Sequence, residues 1–110
     1  MNDEHEYRLT ASAVLDTLKR HLVERAEHDR AEHDRSAFEV REQDDALSIV
    51  FVDSSDRFLI APHVPTRQMH VAAPSSAFQL DWDSRTEKFF LPRTGENLIP
   101  LVDRLLTEHH

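Results

Sequence analysis

Short apolar runs that alternate with polar residues fill the stretch from residue 47 to residue 99. The runs are 47–52, 57–60, 65–73, 78–82 and 89–91, and a pattern of helical spacing follows them. In the first run Leu47, Ile49 and Phe51 occupy every second position, which is the period of a strand with one buried face. Runs this short and this close in sequence predict a meander of antiparallel strands, whose second face meets water or a partner.

Two segments of helical spacing flank the meander. In the first, over about residues 4–26, apolar residues recur at steps of three and four: Tyr7, Ala11, Val14, Leu15, Leu18, Leu22 and Ala26. The second follows Asn97, a residue typical of an N-cap, and carries Pro100 in its first turn. This order predicts an α+β fold, a two-layer sandwich in which N- and C-terminal helices cover one face of an antiparallel β-sheet. The length of 110 residues predicts a single domain over residues 1–110.

The charge is concentrated at one end of the chain. The formal net charge is −8, and residues 1–45 hold 13 acids and 7 bases. We therefore expect cations or a basic protein as partners, and neither nucleic acid nor a membrane. The absence of cysteine excludes disulfides and cysteine-held clusters. No apolar run approaches the ~20 residues of a membrane span and the N-terminus lacks a signal pattern, so we expect a cytoplasmic location. His109 and His110 have the form of a tag remnant and receive no functional weight.

The sequence Arg-Ala-Glu-His-Asp occurs twice in succession from Arg25 onward. Carboxylates and imidazoles both ligate Fe(II), and in a helix Glu24 and His28 share one face. The alternative is a solvated helix end that neutralises itself through ion pairs, because Arg25 stands four residues before Asp29. A period of five also turns successive copies away from each other, which favours the alternative. The pattern leaves open whether residues 25–35 form a helix end or a loop.

Acids outside the meander are a second candidate for cation binding. They are Asp3, Glu4, Glu6, Glu24, Glu27, Asp29, Asp34, Glu39 and Glu42. Exposed carboxylates attract hard or borderline cations at modest affinity, although an ordinary solubilising surface explains them equally well. His70 stands beside Gln68 on the outward strand face. Three interpretations of it remain open: a metal ligand, part of a contact surface, or an ordinary solvated histidine. The sequence shows no enzyme signature.

Several short motifs, in this order and spacing, give the chain a family resemblance. Met1-Asn2-Asp3 and Arg8-Leu9 are similar to the opening helix of the bacterial family members, and residues 47–60 to their first long hairpin. Pro65, Gln68 and Ala72 occupy a Pro-x-x-Gln-x-Trp-x-Ala pattern in which His70 replaces the tryptophan. Pro74-Ser75-Ser76, Asp81-Trp82 and Arg93-Thr94-Gly95-Glu96 complete the set. The chain thereby resembles the frataxin family, in its bacterial CyaY-like form.

The resemblance implies a fold, a cargo and partners. It implies an antiparallel sheet backed by two helices, with iron (Fe(II) or Fe(III)) weakly bound at an acidic ridge along the first helix and the edge of the first strands. The metal ligands on matching positions are Asp3, Glu24, Glu27, Asp29 and Glu39, assisted by His28 or His33. Gln68 and His70 would contact partners, which in this family are the cysteine desulfurase and the iron–sulfur scaffold protein.

The leading hypothesis is therefore an iron-binding protein that acts as iron donor or regulator in iron–sulfur cluster assembly. We expect no enzymatic activity apart from incidental oxidation of bound Fe(II). We also expect a monomer, which metal can drive into oligomers. The alternative is a metal-independent interaction module, or a small acidic chaperone of the secretion type. Lys19, Arg20 and the histidine at position 70 favour this alternative, because they dilute the acidic ridge and remove an aromatic anchor.

Overall fold

The computed structural model describes residues 4–33, 38–43, 45–52 and 55–108, and only the backbone of residues 29–33. Within these ranges two helices cover one face of a six-stranded sheet. The elements are α1 (Glu4–His33), β1 (Phe38–Gln43), β2 (Ala46–Phe51), β3 (Arg57–His63), a 3-10 turn (Val64–Thr66), β4 (Gln68–Ala72), β5 (Ala77–Asp83), β6 (Lys88–Phe90) and α2 (Leu98–Glu108). The strands follow one another in sheet order and every neighbouring pair is antiparallel. The predicted α+β sandwich is confirmed.

Helix α1 is longer than its apolar stripe. Tyr7, Leu18 and Leu22 are fully buried at helical spacing, with Ala11 and Leu15 between them, as the pattern predicts. The helix nevertheless continues beyond residue 26 to His33, so the repeat begins as helix and not as loop. Its alanines, arginines and glutamates favour helix, and no glycine or proline interrupts them.

The side of the sheet toward the helices holds the core. Its fully buried side chains come from alternate strand positions: Leu47, Ile49, Phe58, Ile60, Met69, Val71, Leu80 and Phe89. Because side chains alternate along a strand, the intervening residues, among them Gln68 and His70, lie on the opposite side. The prediction that Met69 and Val71 oppose Gln68 and His70 is thus confirmed.

Two strands differ from the expected meander. Strand β1 was not predicted, yet it pairs with β2 from Phe38↔Phe51 to Gln43↔Ala46. The predicted run from Pro65 begins instead as the 3-10 turn, and β4 starts at Gln68. Arg67 between them takes a left-handed φ of 56°. Proline has no N–H for a strand ladder, which explains why the strand starts later.

Helix α2 starts where the sequence predicts. The backbone N–H of Leu101 donates to the carbonyl of Asn97 at 3.0 Å, and Pro100 lies in the first turn. Leu98, Leu101, Val102 and Leu106 are buried against the sheet. Outside this core, the Arg104 guanidinium donates to both carboxylate oxygens of Glu96, at 2.7 and 2.9 Å, and this contact lowers the pKa of Glu96.

Candidate functional site

The predicted metal ligands lie along α1 and the edge of the sheet. Glu24, Glu27 and His28 on α1 and Glu39 on β1 are all exposed, and we refer to these four residues as the helix-edge surface. Asp3 and the side chain of Asp29 lie outside the described residues. Across the described ranges, no three histidine, aspartate or glutamate side chains lie close enough together to hold a metal ion. Any cation on the helix-edge surface would therefore meet exposed carboxylates that keep most of their water.

Two basic side chains offset acids at the β1 edge. The ammonium of Lys19 lies 2.6 Å from Oε2 of Glu42, and this hydrogen bond raises the pKa of Lys19. The guanidinium of Arg41 lies 3.2 Å from Oε2 of Glu39. These exposed pairs are worth little to stability, but they lower the negative potential near β1. The α1 acids Glu24 and Glu27 are the stronger part of the surface for a cation.

The same helical turns are also fixed to α2. The guanidinium of Arg25 donates to Oδ1 of Asp103 at 2.8 Å, and also to the hydroxyl of Thr107 at 3.3 Å. Nε2 of His21 lies 2.8 Å from Oδ2 of the same Asp103. Arg25 therefore takes part in a contact between helices, because α2 packs on the face that carries it, and its expected helix pair with Asp29 falls on a side chain outside the described residues. The contact holds the outer residues Glu24, Glu27 and His28 on a supported helix.

The outward side of the sheet carries a group of polar residues, which we call the open sheet face: His63, Gln68, His70, Gln79 and Asp81. The strand register places His63, Gln68 and Asp81 in one row, with His70 and Gln79 in the next row. The amide of Gln68 donates to Oδ1 of Asp81 at 2.8 Å. The rings of His63 and His70 stack, with centroids 4.4 Å apart and planes 11° from parallel. Gln68 and His70 are half-buried, so the predicted contact residues sit within an ordered polar network.

Helix α1 fixes the start of β4 from the other side. The hydroxyl of Tyr7 donates to the backbone carbonyl of Gln68 at 2.5 Å. The guanidinium of Arg67 donates to the carbonyl of Val64 and lies 5.7 Å from the centre of the Tyr7 ring. Burial raises the pKa of Tyr7, so its hydroxyl stays a donor at neutral pH. These contacts hold the backbone beneath Gln68 and His70.

The sequence did not identify His63, Asp81 or Tyr7 as parts of this site. His63 follows the strand alternation of residues 57–60, which was the only available signal for its face. Its contact with His70 depends on the β3–β4 register, and the contact of Asp81 with Gln68 depends on the β4–β5 register. A strand pattern does not specify which residues stand opposite each other.

An apolar groove of about 670 Å³ opens between α1, the β5–β6 hairpin and the start of α2. Trp82 and Phe89 lie along it, with ring centroids 5.1 Å apart, and Val14 and Ile99 also line it. Of the candidate acids for cation binding that the structure describes, Glu6 borders the groove, whereas Glu24, Glu27 and Glu39 do not. Within the described part of the chain, no helix is long and apolar enough to cross a membrane.

Comparisons with known proteins agree with this architecture. The family model of the frataxin-like domain matches residues 1–110. A frataxin from Psychromonas ingrahamii, described as a model for stability modulation within the CyaY protein family, has a solved structure of the same fold. It superposes with a TM-score of 0.63 at 14% sequence identity, over 96% of this chain and 90% of that one. No curated protein matches the chain. The chain belongs to the frataxin family, as a CyaY-like protein.

Proposed function

We propose that this protein binds iron weakly on its helix-edge surface and serves iron–sulfur cluster assembly as an iron donor or regulator. The observation that carries the proposal is the family match over residues 1–110. Family membership supports an iron-related role in iron–sulfur cluster assembly in general. The exposed acids of α1, backed by the contact between α1 and α2, support its location.

The proposed chemistry is the transient holding of a cargo ion. Glu24 and His28 are four residues apart on one helix, so a carboxylate and an imidazole are neighbours there. Both groups ligate Fe(II), and exposed ligands that keep their water bind it at modest affinity. Asp29 and His33, which continue the same helix, would add ligands at this end, and Asp3 would provide a separate carboxylate before the first turn of α1. Weak binding suits a donor, because the ion must leave again. We propose no covalent catalysis, and oxidation of bound Fe(II) would be incidental.

The proposed partners are the cysteine desulfurase and the iron–sulfur scaffold protein, in the cytoplasm. The helix-edge surface would face a basic patch of the desulfurase, because opposite potentials steer association. The open sheet face would provide the second contact through Gln68 and His70. Its network from Gln68 to Asp81 is already ordered, so little side-chain freedom would be lost on docking.

A titration of the protein with Fe(II) under nitrogen tests the iron role. We expect the double variant Glu24→Gln/Glu27→Gln to weaken binding by roughly threefold or more, because affinity follows the number of ligand charges. The matched control is Glu87→Gln/Glu108→Gln, which removes the same charge from exposed residues of the β5–β6 turn and α2. An absence of binding at millimolar Fe(II) would contradict the proposal, and equal weakening by both variants would contradict the location.

One observation favours a second candidate, a metal-independent interaction module or a small secretion-type chaperone. Lys19 and Arg41 pair with Glu42 and Glu39 at the β1 edge, which weakens the negative potential that would attract a cation there. Affinity capture carried out once with a chelator and once with added Fe(II) separates the two candidates. Recovery of the desulfurase only with Fe(II) supports the first candidate. Recovery of a secreted effector under both conditions supports the second.

A further inference from the structure

The stacked histidines of the open sheet face have an unusual hydrogen-bonding state. Nδ1 of His63 lies 2.8 Å from the hydroxyl of Thr66. Nε2 of His70 is buried and has no hydrogen-bond partner among the described residues. A buried polar atom without a hydrogen-bond partner costs free energy of folding, and a buried nitrogen that carries a proton and a charge costs more. The geometry therefore holds His70 in its neutral form.

The titratable groups around His70 do not stabilise a proton on its ring. The register surrounds it with Leu59, Ala61 and His63 on β3, with Gln68 and Ala72 on β4, and with Ala77, Gln79 and Asp81 on β5. Of these neighbours only His63 and Asp81 carry a titratable side chain. Oδ1 of Asp81 already accepts from Gln68, and a protonated His63 would repel a proton on His70. Burial, and secondly His63, lower the pKa of His70 below its ordinary 6.5.

Protonation must therefore rearrange the pair. A stack of two parallel imidazoles 4.4 Å apart tolerates two neutral rings, but a charged ring needs partners for both of its N–H groups. The buried Nε2 of His70 has none within the described residues, so the ring has to turn toward water to keep the proton. That movement separates it from His63 and disturbs the ends of β3 and β4.

We propose that His63 and His70 form a proton-sensitive switch, in which the neutral stacked pair keeps the open sheet face flat and ready to dock and a single proton opens it. The opening requires no partner protein. Its effect on docking rests on the proposed function, in which this face contacts the partner. Docking would favour the neutral pair, because burying an imidazolium in an interface without a counter-charge is unfavourable.

An NMR titration of the histidine rings from pH 8 to pH 5 tests the opening. We expect His70 to titrate below pH 6.5, together with shifts of the β3 and β4 backbone amides and without shifts in α2. His63→Ala should raise the midpoint of His70, because it removes a charge and uncovers the ring. His63→Phe should keep the ring contact while it removes the charge and the contact with Thr66, so it should raise the midpoint of His70 less. His5→Ala, on exposed α1, should leave it unchanged.

Three results would overturn the switch. They are a His70 midpoint at or above 6.5, a midpoint indifferent to His63→Ala, and a titration that moves no amide of β3 or β4. A folded His63→Phe variant keeps the test valid even where His63→Ala unfolds the chain.

A second measurement connects the switch with docking, using purified cysteine desulfurase as the probe. At a pH where one molecule in ten keeps the neutral pair, we expect the apparent dissociation constant to be roughly tenfold weaker than at pH 8. His70→Gln, which cannot take the proton, should lose this dependence. An unchanged affinity of the wild type would overturn control of docking. If nothing binds at either pH while the NMR step persists, the proposed function fails and the switch stands.

Discussion

The two sides of the sheet differ in what holds their side chains. On the side toward the helices, Leu47, Ile60 and Met69 are fully buried among other apolar groups. On the open side, Gln68, His70 and Asp81 are held by a hydrogen bond and a ring stack at the protein surface. Apolar burial supplies most of the free energy of folding, whereas a polar network at a surface supplies geometry. The covered side thus maintains the fold, and the open side can change without loss of it.

The acids of the helix-edge surface belong to neither side. Glu24 and Glu27 lie on the outer side of α1, whose inner side covers the sheet through Leu18 and Leu22. Under the proposed function, cations would bind to these acids, away from the polar network of the open sheet face.

The largest expected effect comes from truncating the covered side. Leu18→Ala and Leu101→Ala remove fully buried side chains, and each should lower the free energy of unfolding by about 2–5 kcal/mol. Leu59→Ala on the open side, where the leucine is 39% exposed, should lower it by less than about 1 kcal/mol. Urea unfolding measures all three. Equal losses at Leu18 and Leu59 would mean that the two sides do not differ in the way described.

A smaller loss is expected from the polar contact between the helices. Asp103→Asn removes the charge that both Arg25 and His21 face. Because these side chains are about one third exposed, we expect a loss of about 1 kcal/mol, below the value for fully buried charged hydrogen bonds. Glu87→Gln, in an exposed turn, serves as the control and should change little. A loss above that of Leu18→Ala would show that the polar contact, and not the apolar stripe, holds the helices together.

The smallest effect is a pH dependence that originates on the open side. Because the folded pKa of His70 lies below its ordinary 6.5, the unfolded chain binds its proton more readily. The contribution of His70 to stability is complete above pH 6.5 and is lost as the pH falls toward its folded pKa. Urea unfolding at pH 8 and pH 5.5 should therefore show a smaller difference for His70→Gln than for the wild type. Identical differences would contradict the assignment to His70.

The sequence predicted the covered side far better than the surfaces. The spacing of residues such as Leu18, Ile49 and Leu101 predicts their burial, because the helical or strand period places all residues at that spacing on the buried face. The sequence did not predict strand β1, because Phe38 and Val40 are its only apolar residues and the charged residues Glu39, Arg41 and Glu42 stand between and after them. The stack of His63 on His70 arises from the register between two strands, which no local pattern contains. Surfaces made by pairing distant residues can be recognised only once the fold is known.

The proposed location of cation binding is tested most directly by amide NMR during Fe(II) titration under nitrogen. Paramagnetic Fe(II) should broaden signals of residues 3–6, 24–34 and 39–42, while those of His63, Gln68 and His70 remain sharp. If no signal in the three ranges moves or broadens at millimolar metal, the iron role is wrong. Broadening confined to the open sheet face would contradict the assignment of iron to the helix-edge surface.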